Sequence, residues 1–140
     1  MFNFFFSEGF DLKRIELREV WDGLRIVFLN DEKKKKTLTG YSARKRVILR
    51  LIKLVTRDKE PIKEGAYKSA GWSRAWHSKV VREWPYKVYE IDDEMYNLLK
   101  FLVFRTDLGT KRRKQFEELL KAGEEEFLRG LKKLAICESI

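Results

Sequence analysis

Apolar and polar residues alternate in the first third of the chain, which predicts antiparallel strands. Residues 14–20 alternate, and residues 24–30 place apolar residues on both faces, so we expect this second strand in the middle of the sheet. Asp22-Gly23 lies between the two runs, a dipeptide typical of tight hairpin turns. A third strand is predicted at residues 37–39, directly after four lysines at positions 33–36. We therefore expect a small antiparallel sheet near the start of the chain.

Helical periodicity begins after this region. Ser42 is placed to cap a helix that reaches residue 57, with Val47, Ile48 and Leu51 on its buried side. Another helix is predicted further along the chain, after Asp92, where acidic residues suit the positive end of the helix dipole. That helix is apolar nearly all round, so we expect it to be buried.

The segment between these helices is rich in aromatic residues. Four large apolar residues advance in steps of four, namely Trp72, Trp76, Val80 and Trp84. This spacing predicts a helix over residues 72–83, preceded by a short helix over 63–70 and a turn at Gly71. Pro85 then ends the helix, and residues 86–91 alternate as a fourth strand.

The final segment has heptad-like spacing from about residue 110 to the mid-130s. Its seam consists of Phe116, Leu120, Gly123, Phe127, Gly130, Leu134 and Cys137. We expect this helix to pack on the body or on a second copy in a homodimer. The whole pattern predicts an α+β fold: residues 1–109 form a sheet of about four strands packed with helices, and residues 110–140 form a coiled-coil-like C-terminal helix.

Charge narrows the choice of partner. The chain of 140 residues has 31 basic and 22 acidic residues, a formal charge of +9, which favours a polyanionic partner. Glutamine occurs once and asparagine three times, a depletion typical of hyperthermophilic proteins, so we expect an archaeal hyperthermophile or one of its viruses as the source. No apolar run has the length of a membrane span, and we expect a cytoplasmic location.

The residues that enzymes use most often are scarce. The chain has one histidine and one cysteine, sixty positions apart in sequence, and it has no glycine-rich phosphate loop. The three carboxylates at positions 92–94 are explained as a helix-capping cluster. We therefore expect no enzymatic activity, no cofactor and no metal site.

Cations are interleaved with aromatic residues between positions 66 and 89, a composition suited to stacking bases while neutralising phosphates. The candidate nucleic-acid-binding residues of this stretch are Trp72, Arg74, Trp76, His77, Lys79, Arg82, Trp84 and Tyr86. A cationic stripe on the first helix adds Arg46, Arg50, Lys53 and Arg57. The predicted last helix begins with a basic run, although positive charge is unfavourable at the positive end of a helix dipole, so we expect the run to serve a ligand. It adds Lys111, Arg112 and Arg113.

Part of this stretch resembles a helix-turn-helix. Residues 70–81 are similar to the turn and second helix of that motif, within a segment spanning residues 66–84. The resemblance implies that Ser73, Arg74, Trp76, His77 and Ser78 lie near bases or phosphates in a major groove. Trp76 and His77 depart from the motif, which usually has a small or aliphatic residue there.

The order of elements over residues 11–137 resembles the ThermoDBP family of archaeal single-stranded-DNA-binding proteins. The resemblance implies a four-stranded sheet and helices that form a basic cleft with exposed aromatic residues, and a C-terminal helix for self-association. Because amides that read base edges are scarce, we favour sequence-independent binding of single-stranded DNA. The alternatives are a winged-helix regulator that binds duplex DNA and a viral or particle assembly protein.

Overall fold

The structure, a computed structural model, describes residues 12–73 and 78–139. Its strands are β1 (Leu12–Val20), β2 (Gly23–Phe28), β3 (Lys34–Thr39), β4 (Lys63–Ser73) and β5 (Ser78–Asp92). Its helices are α1 (Ala43–Thr56), α2 (Asp93–Phe104), α3 (Leu108–Lys111), α4 (Arg113–Lys121) and α5 (Glu124–Ser139). The α+β class is confirmed, with five described strands where about four were predicted.

The five strands form one antiparallel sheet in the order β3-β2-β1-β5-β4. The predicted hairpin between β1 and β2 is confirmed, since Val20 pairs with Gly23 across the two-residue loop Trp21-Asp22. Gly23 also allows β3 to pair closely with β2, because a Cβ atom at this position would lie 2.0 Å from the carbonyl oxygen of Leu38. The close pairing with the neighbouring strand thus requires this glycine.

Two predicted helix starts are confirmed by their caps. The side-chain oxygen of Ser42 accepts a hydrogen bond from the Lys45 N–H at 3.2 Å, which satisfies one of the unpaired donors of α1. Asp92 does the same for α2, accepting from the Met95 N–H at 2.8 Å. Because Asp92 is also the last residue of β5, the strand passes into the helix without a loop.

A single hydrophobic core lies between one face of the sheet and the helices. The sheet contributes Ile15, Ile26, Phe28, Leu38 and Ile91, and each of the five helices contributes at least one residue to the same cluster. The helical side includes Val47, Leu51, Leu99, Leu102, Leu108, Phe116, Phe127 and Leu131. All five helices therefore pack on this core, and the other side of the sheet is called the outer face below.

The helices predicted over residues 63–70 and 72–83 are wrong. Residues 63–73 and 78–92 form the strands β4 and β5, paired in register from Lys63 and Val88 to Ser73 and Ser78. A step of four residues is close to one helical turn but is also a multiple of the two-residue strand period, so the aromatic spacing did not separate the two structures. The described part of this segment contains no helix-turn-helix, and residues 74–77 lie outside the described residues.

The single long helix predicted after residue 110 is also wrong. The chain breaks at Arg112, between α3 and α4, and again at Ala122 and Gly123, before α5. Three residues of the predicted seam, Phe116, Phe127 and Leu134, are buried in the common core, so this region packs on the body. Self-association through the C-terminal helix stays a prediction.

Candidate nucleic-acid interface

The outer face is determined by strand register. Successive side chains of a strand point to opposite sides of the sheet, and paired residues on neighbouring strands point to the same side. Residues next to a core residue in the sequence of a strand therefore lie on the outer face. In β1 the outer-face residues are Glu16 and Arg18, and directly across on β5 lie Val88 and Tyr86. Val27, Val88 and Glu16 are buried on this face, although they are not members of the helical core cluster.

Four aromatic rings lie in two pairs on the outer face. The rings of Tyr67 and Tyr86 have centroids 4.6 Å apart and planes inclined by 40°. The rings of Trp21 and Trp84 meet edge to face, with centroids 6.4 Å apart and planes inclined by 70°. Both are favourable arrangements for aromatic pairs, so the rings fix one another in place.

Gly65 provides the space for one of these rings. It pairs with Tyr86 across β4 and β5, and a Cβ atom at Gly65 would lie 2.9 Å from the Tyr86 hydroxyl and 3.1 Å from ring carbons. The hydroxyl end of the tyrosine ring therefore lies against Gly65, where a larger residue would displace it. This close approach explains a glycine inside a strand.

Two arginines lie against the same rings. The guanidinium carbon of Arg18 is 3.8 Å from the centroid of Tyr67, and that of Arg82 is 4.0 Å from the centroid of Trp21. Both distances are within the range of cation–π attraction. The outer face thus combines planar surfaces with positive charge, as expected of a surface that binds bases and phosphates.

Glu16 lies at the centre of this group with a side chain that is nearly inaccessible to solvent. One carboxylate oxygen accepts from Arg18 at 3.1 Å (Nε) and 3.0 Å (Nη2), and the other accepts from the Tyr67 hydroxyl at 3.1 Å. Desolvation, the charge of Glu16 and the hydrogen bond to it together raise the pKa of Tyr67. Glu16 therefore positions a cation and a ring, while Arg18 neutralises its charge.

A two-stranded ribbon projects past the end of the central strand. The ladder between β1 and β5 ends where Arg18 pairs with Tyr86, and the next residue of β5 is Pro85. Proline has no N–H to donate, so it cannot extend this ladder. Between the Ala66–Pro85 pair and the Ser73–Ser78 pair, β5 is paired with β4 alone among the described strands, and this section is called the ribbon.

Part of the predicted aromatic stretch lies on these two surfaces. Lys79, Arg82, Trp84 and Tyr86 all belong to β5, with Lys79 and Arg82 exposed. Trp84 donates from Nε1 to the Ser69 hydroxyl at 3.0 Å, a cross-strand bond within the ribbon. Trp72 belongs to β4 and pairs with Lys79. Arg74, Trp76 and His77 lie outside the described residues.

The predicted cationic stripe on α1 is not a single exposed surface. Arg46 and Lys53 are exposed, but Arg50 is half-buried and donates to the carbonyl oxygens of Leu119 at 2.9 Å and Ala122 at 2.8 Å. Its guanidinium carbon also lies 4.3 Å from the centroid of Phe127. The prediction of four solvent-facing cations is wrong for Arg50, because its charge caps the end of α4 and stacks on the start of α5.

Arg57, the last cation of this stripe, is exposed and forms an ion pair with Glu124. This contact raises the pKa of Arg57 and lowers the pKa of Glu124. The pair joins the end of α1 to the first turn of α5, where a carboxylate suits the helix dipole. Arg57 therefore takes part in the packing of the C-terminal helix.

The second basic run belongs to the helical layer, across the core from the outer face. Lys111 lies 3.9 Å from an Asp107 oxygen, and Arg113 lies 3.9 Å from a Glu117 oxygen. Arg112 is half-buried between α3 and α4, and its backbone N–H donates to the Leu108 oxygen at 2.8 Å. Within residues 12–73 and 78–139, this run is separated from the four rings of the outer face by the core.

Sequence reasoning missed three residues of the outer face: Arg18, Trp21 and Tyr67. Trp21 lies in the hairpin loop, where it is 69% exposed and in contact with Arg82 and Trp84. The alternation of Arg14, Glu16 and Arg18 along β1 was the available signal, since it marks a polar face opposite the core. Identifying their neighbours required the pairing of β1 with β5.

Comparison with known proteins gives no match to a family model, to a curated protein or to a solved structure. The resemblance to the ThermoDBP family stays a prediction. Within residues 12–73 and 78–139, no helix is long and apolar enough to cross a membrane. The same part of the chain holds no cluster of His, Cys, Asp and Glu arranged to bind a metal ion.

Proposed function

We propose that the protein binds single-stranded nucleic acid, with single-stranded DNA as the favoured form, through the outer face and the ribbon. The observation that carries the proposal is the placing of Arg18 and Arg82 on the rings of Tyr67 and Trp21. Stacking on such rings tolerates any base, and the neighbouring cations attract the phosphate backbone. The expected binding is therefore independent of sequence.

The exposure of the rings supports this chemistry. Trp21 is 69% exposed and Tyr67 is 40% exposed, so both offer surface to an incoming base. Lys79 and Arg82 are exposed on the adjoining ribbon, where they can follow the phosphates. The buried carboxylate of Glu16 is neutralised by Arg18, which reduces its repulsion of an anionic strand.

A second candidate is the binding of duplex DNA by the ribbon. Antiparallel two-stranded ribbons enter DNA grooves in several classes of protein, and this ribbon carries Lys68, Lys79 and Arg82. A recognition helix in residues 63–73 and 78–92 is excluded by the strands found there. A role as a viral or particle assembly protein stays a prediction. The residues of the outer face described above do not favour it.

The test is equilibrium binding to a labelled oligo-dT, a matched duplex and an RNA of equal length over a salt series. Trp21→Ala should weaken oligo-dT binding by roughly tenfold, the value expected for the loss of one stacking platform. Tyr41→Ala is the control, because Tyr41 is also an exposed aromatic residue (93%) but lies next to α1 and is not one of the rings of the outer face. Equal effects of the two substitutions would overturn the proposed surface, and preference for the duplex would support the ribbon.

A further inference from the structure

The two edges of the sheet differ in how they are protected against pairing. One edge is β3, a short strand that begins with three consecutive lysines, a common device against association. The other edge is β4, with eleven residues and no charge between Ser69 and Ser73. Among the described strands, β4 has a neighbour on one side only. The edge of β4 that points away from β5 can therefore pair with another strand through backbone hydrogen bonds.

Pro85 shows which residues of β4 point to this edge. In an antiparallel ladder, pairs that exchange two backbone hydrogen bonds alternate with pairs that exchange none. Ala66 faces Pro85, which has no N–H, so this pair is of the second kind. The N–H and C=O of Ala66 therefore point away from β5. By alternation, those of Glu64 and Lys68 do the same.

We infer that β4 pairs antiparallel with β4 of a second copy of this chain, about a two-fold axis through Ala66. Such an interface is isologous, so each residue and its partner are exchanged by the axis. The backbone of Ala66 then hydrogen-bonds to the backbone of Ala66 of the second copy. Glu64 pairs with Lys68 of the second copy, and Lys68 pairs with Glu64 of the second copy. All three pairs join residues whose backbone groups point outward.

Charge favours this register over those with the axis at residue 64, 65, 67 or 68. An axis through Glu64 or Lys68 would place like charges opposite each other, and an axis through Gly65 or Tyr67 would leave Glu64 facing alanine. With the axis at Ala66, Glu64 lies between Lys87 of its own β5 and Lys68 of the second copy. Lys68 in turn lies 3.7 Å from Glu83 across its own ribbon. The charges thus alternate across all four strands, which stabilises the pairing.

The same register joins the outer faces of the two copies. Gly65 then faces Tyr67 of the second copy, and no side chain of Gly65 separates that ring from Tyr86. Tyr86, which already covers Gly65, and Tyr67 of the second copy become neighbours on one surface. The dimer would therefore present one continuous aromatic surface, although the pairing itself does not depend on nucleic acid.

The first test replaces the central residue by proline. Ala66→Pro removes an N–H that points away from β5, so the ladder within the chain is retained, but the two central bonds of the dimer are lost. Ala70→Pro is the matched control, since residue 70 also points outward but lies outside the three bonded pairs. We expect wild type and A70P to be dimers by light scattering on a sizing column, and A66P to be a monomer with unchanged circular dichroism.

The second test exchanges the charges. Glu64→Lys and Lys68→Glu should each weaken the dimer by roughly tenfold, and the double variant should recover most of that loss because the contact between copies is again of opposite sign. Lys35→Glu, on the opposite edge, changes the net charge as K68E does and should have no effect. A wild-type chain that is monomeric up to about 0.5 mM, or a dimer insensitive to A66P and to both reversals, would overturn the inference.

These measurements are made without nucleic acid, so they are independent of the proposed function. A dimer that survives A66P but dissociates when the C-terminal helix is altered would favour the heptad-like seam as the interface, and would also overturn the inference.

Discussion

The Tyr67 hydroxyl donates to the Glu16 carboxylate at 3.1 Å, and this bond joins β4 to β1 across the strand that lies between them. Because Glu16 also holds Arg18, one buried carboxylate organises both the cation and the ring of the proposed stacking surface. An acidic residue in the middle of a basic surface thus has a positioning role.

The first prediction concerns the titration of Tyr67. Its raised pKa means that the folded state holds the phenolic proton more tightly than the unfolded state, so the associated stability is present below pH 10 and is lost as the pH rises through the folded pKa. Glu16→Gln should lower the pKa of Tyr67, because the negative charge is removed. Ultraviolet titration of tyrosinate, with Tyr67→Phe to identify the signal, measures this. An unchanged Tyr67 titration in E16Q would contradict it.

The second prediction concerns Arg50, which bonds to carbonyl oxygens at the end of α4. Arg50→Ala should reduce the free energy of unfolding by about 2–3 kcal/mol, since charged hydrogen bonds to half-buried acceptors are lost. Arg50→Lys should recover only part of this, because an ammonium group lacks the planar fork. Arg46→Ala, on the exposed side of α1, should change stability by less than about 0.5 kcal/mol. Urea denaturation compares the three variants, and equal stability would contradict the prediction.

The third prediction concerns acid stability. The hydrogen bond from Arg105, with the charges of Arg105 and Lys111, lowers the pKa of Asp107 from 3.8 to about 2. The folded state therefore favours the ionised form, and the resulting stability is present above pH 3.8 and is lost as the pH falls towards 2. Asp107→Asn should flatten this part of the curve of unfolding free energy against pH. A D107N curve parallel to that of the wild type would contradict it.

The fourth prediction compares two strand glycines. Gly23→Ala should destabilise the fold by about 2–4 kcal/mol, because its Cβ atom would overlap a backbone oxygen of β3 that cannot move independently. Gly71→Ala should be nearly neutral, since a Cβ atom at Gly71 has no neighbour within 4 Å in the described structure. Thermal unfolding of both variants provides the measurement, and a similar loss of stability in both would contradict the steric argument.

Local signals were sufficient where one residue decides the local structure. Asp22-Gly23 predicted the first hairpin, and Ser42 predicted the start of α1, because the turn and the cap each depend on neighbouring residues alone. The segment around Trp84 had no such signal, and its four-residue spacing fits a helix as well as a strand. Pro85, interpreted as a helix stop, instead lies inside β5, where it ends the pairing with β1.

The candidate site was predicted in part for a related reason. Composition singled out Arg82, Trp84 and Tyr86, which lie on β5. Their neighbours Arg18 and Trp21 come from the β1–β2 hairpin, and only the long-range pairing of β1 with β5 brings them together. Arg50 was placed with the exposed cations because its partners are carbonyl groups about 70 positions later in the chain.

The position of β5 between β1 and β4 has a consequence for the order of folding. The hairpins β1–β2, β2–β3 and β4–β5 join near neighbours in sequence, whereas the pairing of β1 with β5 joins residues about 70 to 80 positions apart. Closing so large a loop costs chain entropy before any contact is gained. We therefore expect two locally formed halves to meet late, along the line where Leu12 to Arg18 face Asp92 to Tyr86. The outer face, which has residues from both halves, is completed only when that line closes.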